Sequence, residues 1–263
     1  MNGTMTAPAP DQSHDQHVDG QFGPQAGAYV TSAVHAAGED LDRIEAMARA
    51  VRPARAIDLG TGGGHVAYRL AGHAADVIAC DLSAAMLDAV AAEAKARGLG
   101  NVATCEAPAE RLPFADGEFD FAACRFSAHH WHGFEAGLAE ARRVLRTGAT
   151  GVFVDTVSPG RGVLDTHLQA VELLRDTSHG CNRTVAEWCA ALERAGFAVD
   201  AVQTGRLRMD FATWIARMAT PELNAQAVRA LQQAASAEVR EHFAIEPDGS
   251  FMLDRVLIEV TAR

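Results

Sequence analysis

The sequence predicts a doubly wound α/β domain, in which helices cover both faces of a mostly parallel sheet. Short apolar runs alternate with helix-like stretches between about residues 55 and 155. A cluster of glycines directly follows the first run, and the last run, FMLDRVLIEVTA, shows the alternation typical of a strand. Because strands and helices succeed one another strictly, consecutive strands are expected to lie parallel, joined by crossover helices.

The predicted elements follow in order along the chain. An amphipathic helix is expected over residues 39–51, because Leu41, Ile44 and Ala48 recur at helical spacing behind an acidic first turn. A second helix is predicted between Ser83, its N-cap, and Gly98. Further helices are predicted at 66–71, at about 134–145, in TVAEWCAALERAGF and at about 213–243. The seven predicted strands cover residues 56–59, 76–81, 102–105, 119–124, 151–155, 198–205 and 251–262.

The domain organisation is predicted from the segments that break this alternation. Residues 1–20 are polar and lack an apolar period, so a flexible leader is expected. Residues 21–263 are expected to form one domain, with lid helices at about 21–50. The segments of about 157–183 and 205–245 do not fit the repeating unit, and they are predicted to cover the active edge of the sheet.

Composition limits the possible partners. A chain of 263 residues that is 48% hydrophobic can bury a large core, and its net charge of −11 argues against nucleic acid. No apolar run reaches the roughly 20 residues of a membrane span, and the N-terminus lacks the pattern of a signal peptide. We expect a cytoplasmic protein, and composition leaves its oligomeric state open between a monomer and a homodimer.

The stretch AIDLGTGGGHV, directly after the first strand, predicts a ligand-binding loop. Glycines let a backbone approach a ligand closely and turn into a helix whose N-terminal amides favour negative groups. Counted from Gly60, the dinucleotide fingerprint GxGxxG has His65 at its last position. A nicotinamide-dependent oxidoreductase is therefore disfavoured, and a non-catalytic cofactor-binding module is a further alternative.

An acidic residue followed by alternating glycines, Asp58, Gly60, Gly62 and Gly64, resembles the first signature motif of class I S-adenosylmethionine-dependent methyltransferases. The stretch AERLPFADGEFDFAACRFSAHH resembles the family's AExLPFxDxxFDxVxxR, and EARRVLRTGATGVFVDTVSP is similar to its EaxRVLkPGGxlxlvDxxxP. The chain looks most similar to the ubiquinone/menaquinone-methyltransferase-like subgroup, which acts on small molecules. The resemblance covers most of the chain and implies a Rossmann-like, seven-stranded sheet with an antiparallel end strand.

The resemblance also implies a cofactor, S-adenosyl-L-methionine. Asp58 would help to hold its amino-acid end, Asp81 would accept the ribose hydroxyls, and Leu82 would contact the adenine. Pro108 stands where relatives often carry an aspartate for the adenine amino group, so this contact falls to Ala109 or a nearby acid. The predicted cofactor-binding residues are Asp58, Gly60, Thr61, Gly62, Gly64, Asp81, Leu82, Ala109 and Arg125.

The stretch RFSAHHWHG follows the fourth strand, at the edge where ligands bind in such sheets. Three interpretations of its histidines stay open: metal ligands, a catalytic base, and structural imidazoles. No two of them have the i, i+4 spacing of a helical metal pair, so no metal is predicted. The catalytic candidates are His130, then His129 and His179; the substrate-binding candidates are Tyr29, Phe126, Trp131, Asp155 and Asp176.

The predicted function is transfer of a methyl group from S-adenosyl-L-methionine to a small acceptor. An aromatic or heteroaromatic nitrogen or oxygen nucleophile in a biosynthetic pathway is favoured, with N-methylation of a toxoflavin-type azapteridine as one specific candidate. C-methylation of a quinone precursor is the alternative within the same class.

Overall fold

The computed structural model describes residues 12–30 and 36–263. Its strands are β1 (Arg55–Leu59), β2 (Asp76–Asp81), β3 (Val102–Glu106), β4 (Phe119–Arg125), β5 (Leu145–Thr156), β6 (Phe197–Met209) and β7 (Phe251–Ala262). They form a single sheet in the order β3-β2-β1-β4-β5-β7-β6. β7 runs antiparallel to both of its neighbours, β5 and β6, and the remaining pairs are parallel. The predicted fold class is confirmed.

The helices are found on both faces and above one edge of this sheet. In chain order they are α1 (His14–Phe22), α2 (Ala26–Val30), α3 (Glu39–Val51), α4 (His65–Ala71), α5 (Ala84–Ala96), α6 (Phe134–Val144), α7 (Gly162–Arg175), α8 (Val185–Ala195), α9 (Phe211–Arg217), α10 (Glu222–Ala234) and α11 (Ala237–His242). Among the described residues, no helix is long and apolar enough to cross a membrane.

Alternate residues of the central strands supply two cores, one on each face of the sheet. Ile57 and Leu59 of β1 pack with α6 and α8, whereas Ala56 packs with α3, α4 and α5. Trp188 of α8 anchors the first of these cores against Phe134, with 4.7 Å between their ring centroids. Burial on both faces explains why the central strands are nearly continuous apolar runs.

The segments that break the alternation form a third core. Apolar residues of α7, α9, α10 and α11 pack together on Phe251 and Leu253 of β7. The β6 and β7 strands are 13 and 12 residues long, so their ends extend beyond the parallel strands and carry this layer. The layer contains most of the two segments that the sequence predicts as a cover.

The strand order reverses between β1 and β4, because the chain runs from β1 to β2 and β3 on one side and returns to β4 on the other. Parallel strands on opposite sides of such a reversal leave a crevice at their carboxyl ends. The loops that follow β1, β2 and β4 therefore meet at one place.

The structure differs from the expected flexible leader over residues 14–20, which lie in helix α1. Ser13 Oγ accepts a hydrogen bond from the Gln16 amide (3.3 Å), and Gln16 Oε1 accepts one from the Ser13 amide (2.9 Å). His14 Nε2 lies 2.8 Å from the carbonyl oxygen of His130, and Val18 is buried. The capping box and the contact with His130 thus stabilise α1. The sequence did not reveal this helix, because its apolar residues show little periodicity. Residues 1–11 of the predicted leader lie outside the described residues.

Replacing the capping serine, Ser13→Ala, is expected to fray α1 without unfolding the domain. Loss of an N-cap costs about 1 kcal/mol, which corresponds to roughly fivefold faster hydrogen exchange of the α1 amides. Thr184→Ala removes the same kind of capping box from α8 and serves as the control, since it should accelerate exchange only there. Unchanged exchange of α1 in the Ser13 variant would show that the cap does not hold the helix.

Candidate active site

The loop after β1 lies so close to two other segments that two of its positions have no room for a side chain. Gly60 has a φ of 65°, and a Cβ placed on it would lie 1.7 Å from Ser127 Oγ. A Cβ on Gly63 would lie 2.5 Å from the carbonyl oxygen of Tyr29. Only glycine fits both positions, and the loops after β1 and β4 are thereby brought into contact.

Asp58 lies at the end of β1 beneath this loop. Its Oδ2 accepts hydrogen bonds from Thr61 Oγ1 (2.6 Å) and from the Ala67 amide (3.1 Å). Burial raises the pKa of the Asp58 carboxyl to about 7, although both hydrogen bonds favour the ionised form. The group therefore titrates near neutral pH, and a nearby cation would favour its carboxylate.

Asp81 ends β2 and supports the same loop. Its Oδ2 accepts from the Gly62 amide (2.9 Å) and its Oδ1 from the Ser83 amide (3.1 Å). Burial raises the pKa of the Asp81 carboxyl as well. Each carboxylate oxygen retains a lone pair beyond these bonds, so Asp81 can accept from the hydroxyls of a ligand.

These groups line a cavity at the carboxyl ends of β1, β2 and β4, called the first cavity below. All of the predicted cofactor-binding residues line it except Gly64, which lies at the N-cap of α4. Ala109 is part of the lining and Pro108 is not. The structure thus brings the predicted loop, the acid after β2 and the segment after β3 to one cavity.

Sequence reasoning missed one wall of the first cavity. Asp15, Val18 and Phe22 of helix α1 line it together with the glycine loop. The capping pattern from Ser13 to Gln16 was the signal available in the sequence.

A second cavity adjoins the first and extends toward the cover layer. The residues that line both cavities are Phe22, Tyr29, Arg125, Phe126 and His130. From this boundary the second cavity reaches α7, α9 and the ends of β6 and β7, where its lining includes Glu172, Arg175, Trp214, Arg217 and Leu253. A small molecule in the second cavity would therefore meet a ligand of the first at this shared boundary.

Phe126 lies at that boundary, and its backbone has a conformation that residues other than glycine rarely adopt. Its φ is 53°, and its amide donates to the carbonyl oxygen of Val154 at 2.8 Å. The guanidinium of Arg125 lies 4.8 Å from the centre of the Phe126 ring and forms an ion pair with the buried Asp40. A bulky residue with positive φ stores strain that the surrounding contacts must offset, which is a feature of functional sites.

His129 forms a close pair with Asp155 at the end of β5. Its Nδ1 lies 2.5 Å from Asp155 Oδ1, and its amide donates to Asp155 Oδ2 at 3.0 Å. Burial by itself would lower the pKa of His129, but the charge and hydrogen bond of Asp155 offset it and raise the pKa above the usual value. Because Nδ1 faces the carboxylate, Nε2 is the ring atom that can accept a further proton.

His130 and His179 have the opposite electrostatic character. Burial and the neighbouring His129 lower the pKa of His130 well below its usual value. Burial lowers the pKa of His179 to about 3, and its Nε2 lies 2.9 Å from Gln169 Oε1. His130 lines both cavities, whereas His179 lines neither. His179 therefore lies next to the other two histidines, with its ring centroid 5.7 Å from that of His129, but outside both cavities.

Two predicted substrate-binding acids, Asp155 and Asp176, lie behind the cavities and line neither of them. Asp155 is occupied by His129 and by the Thr156 amide, which donates to its Oδ1 at 2.8 Å. Asp176 accepts from both the amide and the hydroxyl of Ser178. Both carboxylates thus position neighbouring groups, although Asp176 Oδ2 accepts no hydrogen bond from the described residues and lies 3.8 Å from His130 Nε2.

The predicted aromatic contacts are divided between the two cavities. Tyr29 and Phe126 line both, whereas Trp131 lines only the first. Trp131 Nε1 donates to Ser127 Oγ at 3.3 Å, and its ring packs so tightly on Gly137 that a Cβ on that glycine would lie 2.4 Å from the ring.

Within the described part of the chain, no three His, Cys, Asp or Glu side chains come together as metal ligands would.

The chain is similar to several known proteins over most of its length. Residues 57–153 match the family model described as a methyltransferase domain. YafE, an uncharacterised protein of Escherichia coli (strain K12), is 45% identical over 196 residues, which are 74% of this chain and 95% of YafE. YcgJ of Bacillus subtilis (strain 168), named an uncharacterised methyltransferase, is 31% identical over 243 residues, which are 90% of this chain and 96% of YcgJ.

Solved structures extend the likeness to the whole fold. The crystal structure of YcgJ has a TM-score of 0.81 at 29% identity, covering 85% of this chain and 98% of YcgJ. The crystal structure of a protein of Bacillus halodurans C-125 has a TM-score of 0.82 at 28% identity, covering 86% of this chain and 99% of that one. The similarity therefore extends over most of the chain, well beyond the glycine loop.

The contact between Gly60 and Ser127 can be tested by substitution. Gly60→Ala should destabilise the fold by about 1–3 kcal/mol and weaken S-adenosylhomocysteine binding, because the new Cβ clashes with Ser127 Oγ. Adding Ser127→Gly should restore part of both losses, whereas Gly100→Ala, where no atom lies within 4 Å, is the neutral control. Calorimetry measures both quantities, and a double variant no better than Gly60→Ala would exclude the clash.

The ionisation of Asp58 predicts a pH-dependent affinity. S-adenosylhomocysteine carries an ammonium group, which the carboxylate attracts and the neutral acid does not. Its affinity is therefore expected to rise about tenfold as the pH increases through about 7. Asp58→Asn should remove this dependence, and Asp76→Asn, at the opposite end of β2, should retain it. The same pH dependence in the Asp58 variant would assign it to another group.

Proposed function

Because the chain belongs to the class I S-adenosylmethionine-dependent methyltransferases, we propose that it methylates a small aromatic or heteroaromatic molecule held in the second cavity. The proposal rests on one observation above the others. His129, which is paired with the buried Asp155, lines the second cavity next to the boundary that both cavities share. A group that can accept a proton thus lies where an acceptor would meet the cofactor.

The lining of the first cavity fits S-adenosyl-L-methionine. Asp58 and Asp81 can hold its ammonium and its ribose hydroxyls, and the Gly60–Gly63 backbone leaves room for a close approach. Ser83 Oγ, which lines this cavity and has no hydrogen-bond partner among the described residues, is a further polar group for a ligand. When bound, the cofactor supplies a methyl group on a cationic sulfur, which is the electrophile of the reaction.

The chain's own residues would perform three tasks during transfer. Phe126 and His130, at the boundary, orient the acceptor towards the first cavity. Phe22 and Tyr29, which line both cavities, exclude water from the junction. His129 Nε2 accepts the proton that an O–H or N–H acceptor loses, and Asp155 stabilises the resulting imidazolium. Alignment and exclusion of water supply most of the rate, and the base adds to it.

The identity of the base differs from the order of the sequence-based candidates, in which His130 stands first. His130 is a weak base because its pKa lies well below the usual value, and its Nδ1 lies 3.3 Å from the carbonyl oxygen of Ser178. His129 is the stronger base because Asp155 raises its pKa. We therefore assign proton transfer to His129 and orientation of the acceptor to His130.

The aromatic lining supports a flat acceptor. Phe22, Tyr29, Phe126 and Trp214 contribute rings to the second cavity. Such rings can stack on a planar ligand, as an azapteridine of the toxoflavin type would require. C-methylation of a quinone precursor is less well supported, because the charged groups of Glu172, Arg175 and Arg217 line the same cavity.

Mass spectrometry tests the proposed function directly. Purified protein and S-adenosyl-L-methionine are added to a bacterial metabolite extract, with an azapteridine and a quinone precursor assayed in parallel. The expected result is an aromatic metabolite that gains one methyl group only when protein and cofactor are both present. If the cofactor binds but no metabolite gains a methyl group, the chain is a non-catalytic binding module.

Substitution of the base should reduce turnover more than cofactor affinity. With the acceptor so identified, His129→Gln is expected to lower kcat by about 10²-fold or more, while S-adenosylhomocysteine affinity changes little. Since the reaction needs neutral His129, kcat/KM should rise with pH through an apparent pKa above 6.5. Asp155→Asn removes the charge that raises this pKa, so the midpoint should move to lower pH.

His179→Gln is the matched control, because this buried imidazole, whose ring centroid lies 5.7 Å from that of His129, lines neither cavity. It should leave the pH profile unchanged. A large loss of turnover in His130→Ala together with normal turnover in His129→Gln would transfer the role of base to His130.

A further inference from the structure

Two arginines project into the second cavity from the last turns of different helices. Arg175 ends α7 and Arg217 ends α9, and both side chains line the cavity. Arg175 is held in place by its Nε, which donates to the carbonyl oxygen of Trp214 at 3.1 Å, and its guanidinium lies 5.0 Å from the centre of a Trp214 ring. The backbone and the aromatic ring thus fix the direction of this guanidinium.

The two charges are close enough to repel each other. Burial lowers the pKa of Arg217, and the charge of Arg175 lowers it further. The charges of both arginines also lower the pKa of the Tyr29 hydroxyl, at the boundary with the first cavity, against the larger effect of burial, which raises it. Like charges held together in a partly buried site are stabilised when an anion binds between them.

The two arginines share the lining of the second cavity with one carboxyl that faces them both, that of Glu172. Arg125 is paired with Asp40, and Arg208 is paired with Glu246 outside the cavity. This leaves Glu172, a buried carboxyl whose pKa is raised by burial, as the acid that faces both arginines from within the lining. Among the described residues, no carboxylate oxygen lies within 4.0 Å of the guanidinium nitrogens of Arg175.

The carboxylate of the cofactor does not account for the pair, because neither Arg175 nor Arg217 lines the first cavity. The positive charge is confined to the part of the second cavity beyond the boundary. This is unexpected in a chain with a net charge of −11, in which the surface as a whole repels anions. A ligand that enters the second cavity would therefore meet this charge directly.

We infer that the acceptor is an aromatic or heteroaromatic carboxylic acid, whose carboxylate is bound by Arg175 and Arg217 while its ring faces Phe126. The inference rests on the proposed function and adds the chemical class of the acceptor. A guanidinium matches a carboxylate in a planar, bidentate geometry, so the pair can set the orientation of the ring as well as the affinity. Neutral azapteridines and quinone precursors would bring no anionic group to these arginines.

A matched pair of probes tests the inference without requiring turnover. Binding of 2-hydroxybenzoate and of its neutral amide, 2-hydroxybenzamide, is measured by calorimetry on the protein saturated with S-adenosylhomocysteine. The carboxylate is expected to bind at least tenfold more tightly than the amide. Arg175→Gln and Arg217→Gln should each remove most of this preference while retaining S-adenosylhomocysteine affinity.

Arg206→Gln is the control variant, since Arg206 forms an ion pair with Asp254 and lines neither cavity. It should retain the preference for the carboxylate. Equal binding of the two probes, no detectable binding of the carboxylate, or a preference that survives both arginine substitutions would overturn the inference.

The same samples separate this inference from the proposed function. Preference for the carboxylate without methyl transfer to any metabolite would overturn the proposed function and leave the anion site standing. Methyl transfer to a neutral metabolite, with no preference for the carboxylate probe, would overturn the inference and leave the proposed function standing.

Discussion

The contact between the loops after β1 and β4 is the constraint on which the rest of the site depends. Gly60 approaches Ser127 so closely that no side chain fits between them. The contact lies at the reversal of strand order, where the sheet leaves a crevice at its carboxyl edge. It places the glycine loop on one side of Phe126 and His130 and the cover layer on the other, so that the two cavities share a boundary.

The two cavities differ in charge, and the difference matches the two partners of a methyl transfer. The first contains the buried carboxyls Asp58 and Asp81, which suit a cofactor with cationic groups. The second contains Arg175 and Arg217, which suit an anionic acceptor. Each ligand would thus be attracted to its own cavity and disfavoured in the other. The His129–Asp155 pair lies at the second cavity, where the acceptor would lose its proton.

The sequence predicted the sheet well and placed the glycine loop and Asp81 at one edge of it, since both depend on local patterns. The strands of the sheet are apolar runs, and the glycine loop and Asp81 follow two of them directly. The second cavity could not be predicted in the same way, because Arg175 and Arg217 are 42 residues apart and meet only through the packing of α7 and α9.

The roles of the histidines also depend on tertiary contacts: Asp155 raises the pKa of His129, and burial lowers that of His130. Helix α1 was missed because its order comes from a cap and from docking, with little apolar periodicity.

A crystal structure of the protein with S-adenosylhomocysteine is the most direct test of this arrangement. The two-cavity arrangement predicts that the ribose lies on Asp81, the amino-acid end near Asp58, and the sulfur at the boundary formed by Phe126 and His130. The sulfur should then face the second cavity, on the side of His129. A sulfur that points away from this boundary, or a ligand bound outside the first cavity, would contradict the assignment of the two cavities.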